Sequence, residues 1–246
     1  MLRSLILDLD FTLLHLEFVP DSIEVPGRTR SAWIAPTTVE ILHQLQEKFS
    51  IVLATARSWD GTKWVVDGLK QHGVAVAALV LEDGARLGKE NKLTSFEPDF
   101  DVEKWRAKFD IDEMKVTSFE WQLDFESCLV ARCENGDKGE VLRQTWEQAW
   151  SHSSGVRFFR DGRKVYVLPA EAGKWTALQR LLGDEAELAA GVGDGDNDIV
   201  WLPNVALPAT FARAKPRLVA EVRARGGYIS ELDSHQGIAD ILRRWL

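Results

Sequence analysis

The chain has 246 residues, 45% of them hydrophobic and 28% charged, the balance of an ordinary globular protein with room for one large or two modest domains. Its formal net charge of −8 argues against a general nucleic-acid binder, which needs a basic surface. No apolar stretch approaches the roughly 20 residues that span a bilayer, the first strand starts too near Met1 for a signal peptide, and Cys128 and Cys133 fit neither a C-x-x-C motif nor a four-ligand zinc site; a cytoplasmic protein with free thiols and no membrane partner is expected.

The first element is the apolar run Leu5-Ile6-Leu7, which leads into Asp8-Leu9-Asp10-Phe11-Thr12. Runs this short mark strands buried in a parallel sheet, and ligands gather beyond the carboxyl ends of such strands. Two carboxylates there repel each other and cost desolvation energy, and a bound cation would relieve both. Thr38 to Lys48 carries apolar residues at helical spacing and reads as a helix on the sheet. Ile51-Val52-Leu53-Ala54 is a second buried strand, ending in Thr55-Ala56-Arg57-Ser58. A second helix spans Asp60 to His72, with Gly73 at its end. Val74 to Leu81 is a third strand, and the alternation predicts a doubly wound parallel α/β sheet.

Glu82-Asp83-Gly84-Ala85 breaks this pattern. Between about Arg86 and Pro169 the sequence reads as an inserted α+β unit. Strands are expected over Leu123 to Ala131, Gly155 to Phe159 and Arg163 to Leu168, the last two joined by an Asp161-Gly162 turn, with a helix over Val141 to Trp150. The expected division is therefore 1–84 with 170–246 as one domain and 85–169 as another. Gly173-Lys174-Trp175-Thr176 opens a further helix through Leu182. A strand runs into Gly193-Asp194-Gly195-Asp196-Asn197-Asp198, followed by a helix near Ile199 to Leu202 and short strands at Val205 and Tyr228-Ile229. The ten tryptophans are scattered and are expected in packing rather than in a ligand cage.

Taken singly, these motifs are ambiguous. Alone, Thr55 reads first as a helix N-cap and Lys174 as an exposed helix lysine, while the acidic run reads equally as a calcium-type loop, a plain turn or a catalytic loop. Arg57 suits either a phosphate contact or a surface ion pair. Asp196 is expected to be exposed, and His15, His43, His72, His152 and His235 to be surface or packing residues, with only His152 near the insert's pocket.

Together and in this order, Asp8/Asp10/Thr12, Thr55, Lys174 and Asp194/Asn197/Asp198 resemble the four motifs of the haloacid dehalogenase superfamily, most of whose members are magnesium-dependent phosphatases. The insert resembles that superfamily's C2B-type cap, and Glu82-Asp83-Gly84-Ala85 its E-N-G-A hinge with Asp in place of Asn. The ending Gln236-Gly237-Ile238-Ala239-Asp240-Ile241-Leu242 resembles the same subgroup.

The resemblance implies a role for each motif residue. Asp8 is the nucleophile, forming an aspartyl-phosphate. Asp10 is the general acid and base. Mg2+ is held by Asp8, Asp194 and the Asp10 carbonyl. Thr12, Thr55, Arg57, Lys174 and Asn197 surround the phosphate, with Asp198 behind them orienting Lys174. The implied substrate is a sugar phosphate or similar small phosphorylated metabolite. A phosphohexomutase and a non-catalytic binding protein on the same fold are the alternatives. The chain departs from the family at Phe11, where glycine is usual, and at Asp83, for which Arg86 is the expected counter-charge. Glu120, Arg132, Arg143 and Arg157 are candidate substrate contacts by charge alone.

Overall fold

A computed structural model describes residues 3–90, 92–111, 116–150 and 155–246. From the N-terminus come β1 (Arg3–Leu7), the hairpin β2 (Ile23–Val25) and β3 (Ala32–Ile34), α1 (Pro36–Leu45), β4 (Phe49–Ala54), α2 (Trp59–Gln71) and β5 (Val76–Leu81). A tight turn over Glu82–Gly84 leads to the hairpin β6 (Arg86–Lys89) and β7 (Lys92–Ser95). Next are α3 (Val102–Phe109), β8 (Phe119–Trp121), β9 (Leu129–Cys133), α4 (Gly136–Trp150), and the hairpin β10 (Val156–Asp161) and β11 (Lys164–Pro169). The chain closes with α5 (Lys174–Leu182), β12 (Ala190–Val192), β13 (Leu207–Phe211), α6 (Pro216–Ala224), β14 (Tyr228–Ser230) and α7 (Ser234–Arg243).

Eight strands form one sheet in the order β14-β13-β12-β1-β4-β5-β6-β7. Those from β14 to β5 are parallel, and β6 and β7 turn back antiparallel at the edge. The apolar runs of β1 and β4 are buried because helices flank the sheet. β1 pairs with β4 on one side and with β12 on the other, so the chain leaves β1 in one direction and returns in the other. That reversal opens a crevice at the carboxyl end of β1, where Asp8 follows.

β2 and β3 pair by themselves, and a further sheet has four antiparallel strands in the order β10-β11-β9-β8. Its faces alternate as strand geometry requires. Val165, Val167, Leu129 and Ala131 point into an aromatic cluster with Phe109 and Trp146 beneath α3 and α4, with Trp105, Trp121 and Trp150 packed at its edge. Tyr166, Leu168, Val130 and Phe159 point the other way, onto the large sheet's core. The tryptophans of this unit thus serve packing, as expected.

Three readings of the sequence shift. Residues 86–95 were expected to begin the insert, but β6 and β7 hydrogen-bond into the large sheet. The strand expected over Leu123 to Ala131 is interrupted: Asp124 to Ser127 leave the ladder because they bond to the core. Glu82 accepts the N–H groups of Glu126 and Ser127 at 3.1 and 2.8 Å, and the Ser58 hydroxyl donates to Asp124 at 2.6 Å. The helix expected over Ile199 to Leu202 is two short 3-10 turns, Asp196–Asp198 and Leu202–Asn204, the second carrying Pro203 in its first positions. His152 lies outside the described residues.

The Glu82-Asp83-Gly84 turn connects β5 to β6 within the large sheet and carries its contacts to the smaller unit. All three residues are left-handed, with φ of +53°, +54° and +98°. A Cβ on Gly84 would meet the Gly173 carbonyl carbon at 2.2 Å, so glycine is required there. Buried Asp83 pairs with Arg157 at 2.8 Å, and Arg157 also donates to the Ala172 carbonyl. Arg86, the expected counter-charge, instead pairs with Glu126 at 2.6 Å and lies 3.8 Å from Glu82. Arg157 is therefore a fastening between the sheets. Arg143, another expected substrate contact, is engaged by Glu140 and Glu147 along α4.

Candidate active site

The residues singled out from four separate stretches of sequence meet at the carboxyl end of β1. Lys174, the first residue of α5, is fully buried, which excludes its reading as a surface lysine. Its Nζ donates to Asp8 Oδ1 at 2.7 Å and to Asp198 Oδ1 at 2.8 Å. Burial alone would lower the lysine's pKa, but the carboxylates of Asp198 and Asp8 outweigh it, so the ammonium stays charged.

Asp198 is saturated. Oδ1 also accepts from Trp201 Nε1 at 2.7 Å, and Oδ2 from the backbone N–H groups of Asp194 and Gly195 at 3.0 and 2.9 Å. Its carboxyl sits so close to Gly193 that a Cβ there would fall 2.6 Å from it. Asp198 thus holds the Asp194 loop in shape and fixes Lys174. Trp201 was not anticipated, and nothing but its place three residues on from Asp198 hinted at it. Asn197 lines the cleft, and Asp198 rather than Asn197 bonds Lys174.

Asp8, Asp194 and Asp198 bring carboxylate oxygens within 4.8 Å of one another. Burial pushes Asp8 well above the ordinary carboxylate range, and the charges of Asp198 and Asp194 add to the effect against the pull of Lys174. Asp194 rises to about 7 through burial and the Asp198 charge, although the Thr12 hydroxyl donates to it at 3.2 Å. Three carboxylates facing one ammonium leave negative charge in excess. With Asp198 fully bonded, Asp8 and Asp194 are the carboxylates available to a cation. An all-oxygen donor set of this kind suits a hard divalent ion such as Mg2+.

Thr55 is buried after β4, and Ser58 rather than Thr55 caps α2. Thr55 Oγ1 accepts the Arg57 N–H at 3.2 Å, which leaves its own proton to donate into the cleft. The Arg57 guanidinium is engaged by Asp10, to which it donates two hydrogen bonds. Burial would raise Asp10, but the bonds and charge of Arg57 prevail and hold it below the ordinary value. Asp10 is half-exposed at the cleft mouth, and Asp196 is exposed.

The cleft holds about 480 Å3 between the two sheets. The large sheet contributes Asp8, Asp10, Thr55 and Asp194, and the smaller one Phe159 and Asp161 from β10. Sequence alone marked Asp161 only as a turn residue, because facing the cleft is a property of how the two sheets pack. Phe11 stands at the rim, 58% exposed, with φ of +58°. Glycine adopts that conformation freely and phenylalanine does not.

Residues 3–94 match the family of NLI interacting factor-like phosphatases. No curated protein sequence matches the chain. The fold is that of several solved structures. A Thermoplasma acidophilum protein, 0175, is 18% identical with a TM-score of 0.72, over 100% of this chain and 98% of that one. A haloacid dehalogenase-like hydrolase from Bacteroides thetaiotaomicron is 16% identical with a TM-score of 0.70, over 100% of both chains. Another from B. subtilis is 15% identical with a TM-score of 0.71, again over 100% of both.

Proposed function

We propose that this chain, a phosphatase of the haloacid dehalogenase superfamily, hydrolyses a sugar phosphate or similarly small phosphate monoester through an aspartyl-phosphate on Asp8. One observation carries the reading: Asp8 is clamped by fully buried Lys174 beside Asp194, at the floor of a cleft into which Thr55 can donate.

The substrate's phosphate enters the cleft above Asp8. Thr55 donates its hydroxyl proton to a phosphate oxygen, and the Lys174 ammonium neutralises Asp8 and the transferring group. Asp8, Asp194 and the Asp10 carbonyl would hold Mg2+, which would supply further positive charge to offset the repulsion of anionic nucleophile and anionic ester. An Asp8 oxygen attacks phosphorus in line with the ester oxygen. The P–O bond to the leaving group breaks, and Asp10 protonates the departing oxygen. Asp10 can reach it because it lines the same cleft as Asp8, at its mouth. Asp10 then takes a proton from water as that water attacks the phosphorus. Inorganic phosphate leaves and Asp8 is restored.

A 480 Å3 cleft walled by a second sheet suits a small metabolite. Among the described residues no helix is long and apolar enough to cross a membrane. Cys128 and Cys133 are buried and unpaired, in keeping with a cytoplasmic location. The test is phosphate release from a panel of sugar phosphates and other monoesters, with Mg2+ and EDTA arms. Release that needs Mg2+ and is abolished in Asp8→Asn is the expected result. Equal release by Asp8→Asn overturns the mechanism.

A further inference from the structure

The core-facing side of the smaller sheet carries a row of charges that meets the cleft at Asp161 and that neither the sequence motifs nor the mechanism above uses. Asp161 on β10 is the cross-strand partner of Lys164 on β11, Lys164 of Arg132 on β9, and Arg132 of Glu120 on β8. One row therefore reads acid, base, base, acid across all four strands. Its side chains share a face, because each lies two residues from a neighbour on the core-facing side: Asp161 from Phe159, Lys164 from Tyr166, Arg132 from Val130. The cleft meets this row at its β10 end, where Phe159 and Asp161 line it.

The centre of the row is the unusual part. Like charges directly opposite on neighbouring strands repel. Neither Lys164 nor Arg132 forms an ion pair or side-chain hydrogen bond among the described residues. Elsewhere in this unit arginines are tied down, Arg143 and Arg160 by Glu140 and Arg157 by Asp83. Lys164 is half-buried and close enough to feel both Asp10 and Asp161. Two half-buried cations side by side, on the face whose β10 end lines the cleft and with Lys164 in reach of the Asp10 charge, suit an added anion.

Resting on the phosphatase reading, we infer that Lys164, with Arg132 beside it, is a specificity determinant for a leaving group that carries its own negative charge, a carboxylate or a second phosphate. The phosphate being cleaved sits over Asp8, and the second anion lies across Asp10 against Lys164. Asp161, at the cleft end of the row, suits a hydroxyl group of a polyol between the two anions.

The test compares esters matched in skeleton but not in charge: 3-phosphoglycerate with glycerol 3-phosphate, and fructose 1,6-bisphosphate with fructose 6-phosphate. The first pair adds a carboxylate and the second a phosphate. p-Nitrophenyl phosphate serves as a general reporter. In the parent, kcat/KM for at least one charged member exceeds that for its partner about tenfold, one ionic contact's worth. Lys164→Met removes that ratio, Lys164→Arg keeps it, and Lys164→Glu inverts it in favour of the uncharged member. Arg132→Gln lowers the same ratio, and Lys138→Met, on the exposed side of α4, leaves it alone. Equal rates on both members of each pair in the parent overturn the inference. So does a Lys164→Met variant that slows every ester in proportion, which would make Lys164 only a counter-charge to Asp10. Silence on every ester, p-nitrophenyl phosphate included, overturns the phosphatase reading itself and the inference with it.

Discussion

Arg57 grips Asp10 by both carboxylate oxygens, Nε to Oδ2 at 2.8 Å and a terminal nitrogen to Oδ1 at 2.6 Å. The fork fixes where the carboxylate points and keeps it ionised. A general acid must carry a proton when the ester bond breaks. The arriving phosphate, with its negative oxygens, competes for the guanidinium and frees Asp10 to take one. Arg57 is thus a partner of Asp10 before it is a partner of substrate.

Arg57→Ala is expected to lower kcat/KM about tenfold or more, through lost orientation. Without the guanidinium Asp10 keeps its proton to higher pH. The descending limb of kcat/KM against pH, which marks loss of the acid in the free enzyme, moves upward. A pH profile with an unmoved limb refutes this role.

Asp194 sets a link between pH, metal and stability. Its folded pKa of about 7 lies above the ordinary 3.8. The folded state therefore binds the proton more tightly, and its contribution is full below about pH 4 and lost as pH rises through about 7. Metal-free protein should melt lower at about pH 7.5 than at about pH 5, and Mg2+ should raise the melting temperature more at the higher pH. Calorimetry with and without EDTA checks both signs. A magnesium effect equal at the two pH values counts against Asp194 as a ligand.

Phe11→Gly relieves a left-handed backbone at the cost of little burial. Strain of this kind is worth about 1–3 kcal/mol, and the greater freedom of unfolded glycine returns part of it. A net gain of about 1 kcal/mol is expected from urea denaturation. A loss would show that the exposed ring is held by contacts worth more than the strain.

Arg157→Ala leaves Asp83 buried and unpaired beneath the second sheet. Because Arg157 is itself 30% exposed, the cost is set near the lower end for broken buried pairs, about 2–3 kcal/mol. Adding Asp83→Asn removes the orphaned charge and should recover most of the loss. A double-mutant cycle in urea measures the coupling. Additive losses would mean that the two residues act separately.

The floor of the site was legible because its parts obey local rules. Leu5 to Leu7 announce a buried strand, and Asp8 follows where such strands end. What escaped depends on contacts distant in sequence. Three-residue strands such as Ile23–Val25 and Ala32–Ile34 are too short for a period to register. The edge hairpin 86–95 carries Lys, Gly and Thr like any surface segment, and only its pairing with Val76–Leu81 places it in the large sheet. Arg157 looked like any cationic substrate contact until Asp83 was seen opposite it. The charges of Glu120, Arg132 and the Asp161/Lys164 pair lie apart along the chain, and only strand register makes them one row.

The pairing of β1 with both β4 and β12 also governs how the molecule comes into being. Leu5 lies beside Ile51 on one side and Ala190 on the other. A growing chain can seat β1 against β4 early. Its other edge stays open until more than three-quarters of the protein has been synthesised. Only then do Lys174 and the Asp194 loop reach Asp8. The contact that completes the sheet is also the one that arms the nucleophile, so a partly made chain carries an exposed strand edge but no competent site.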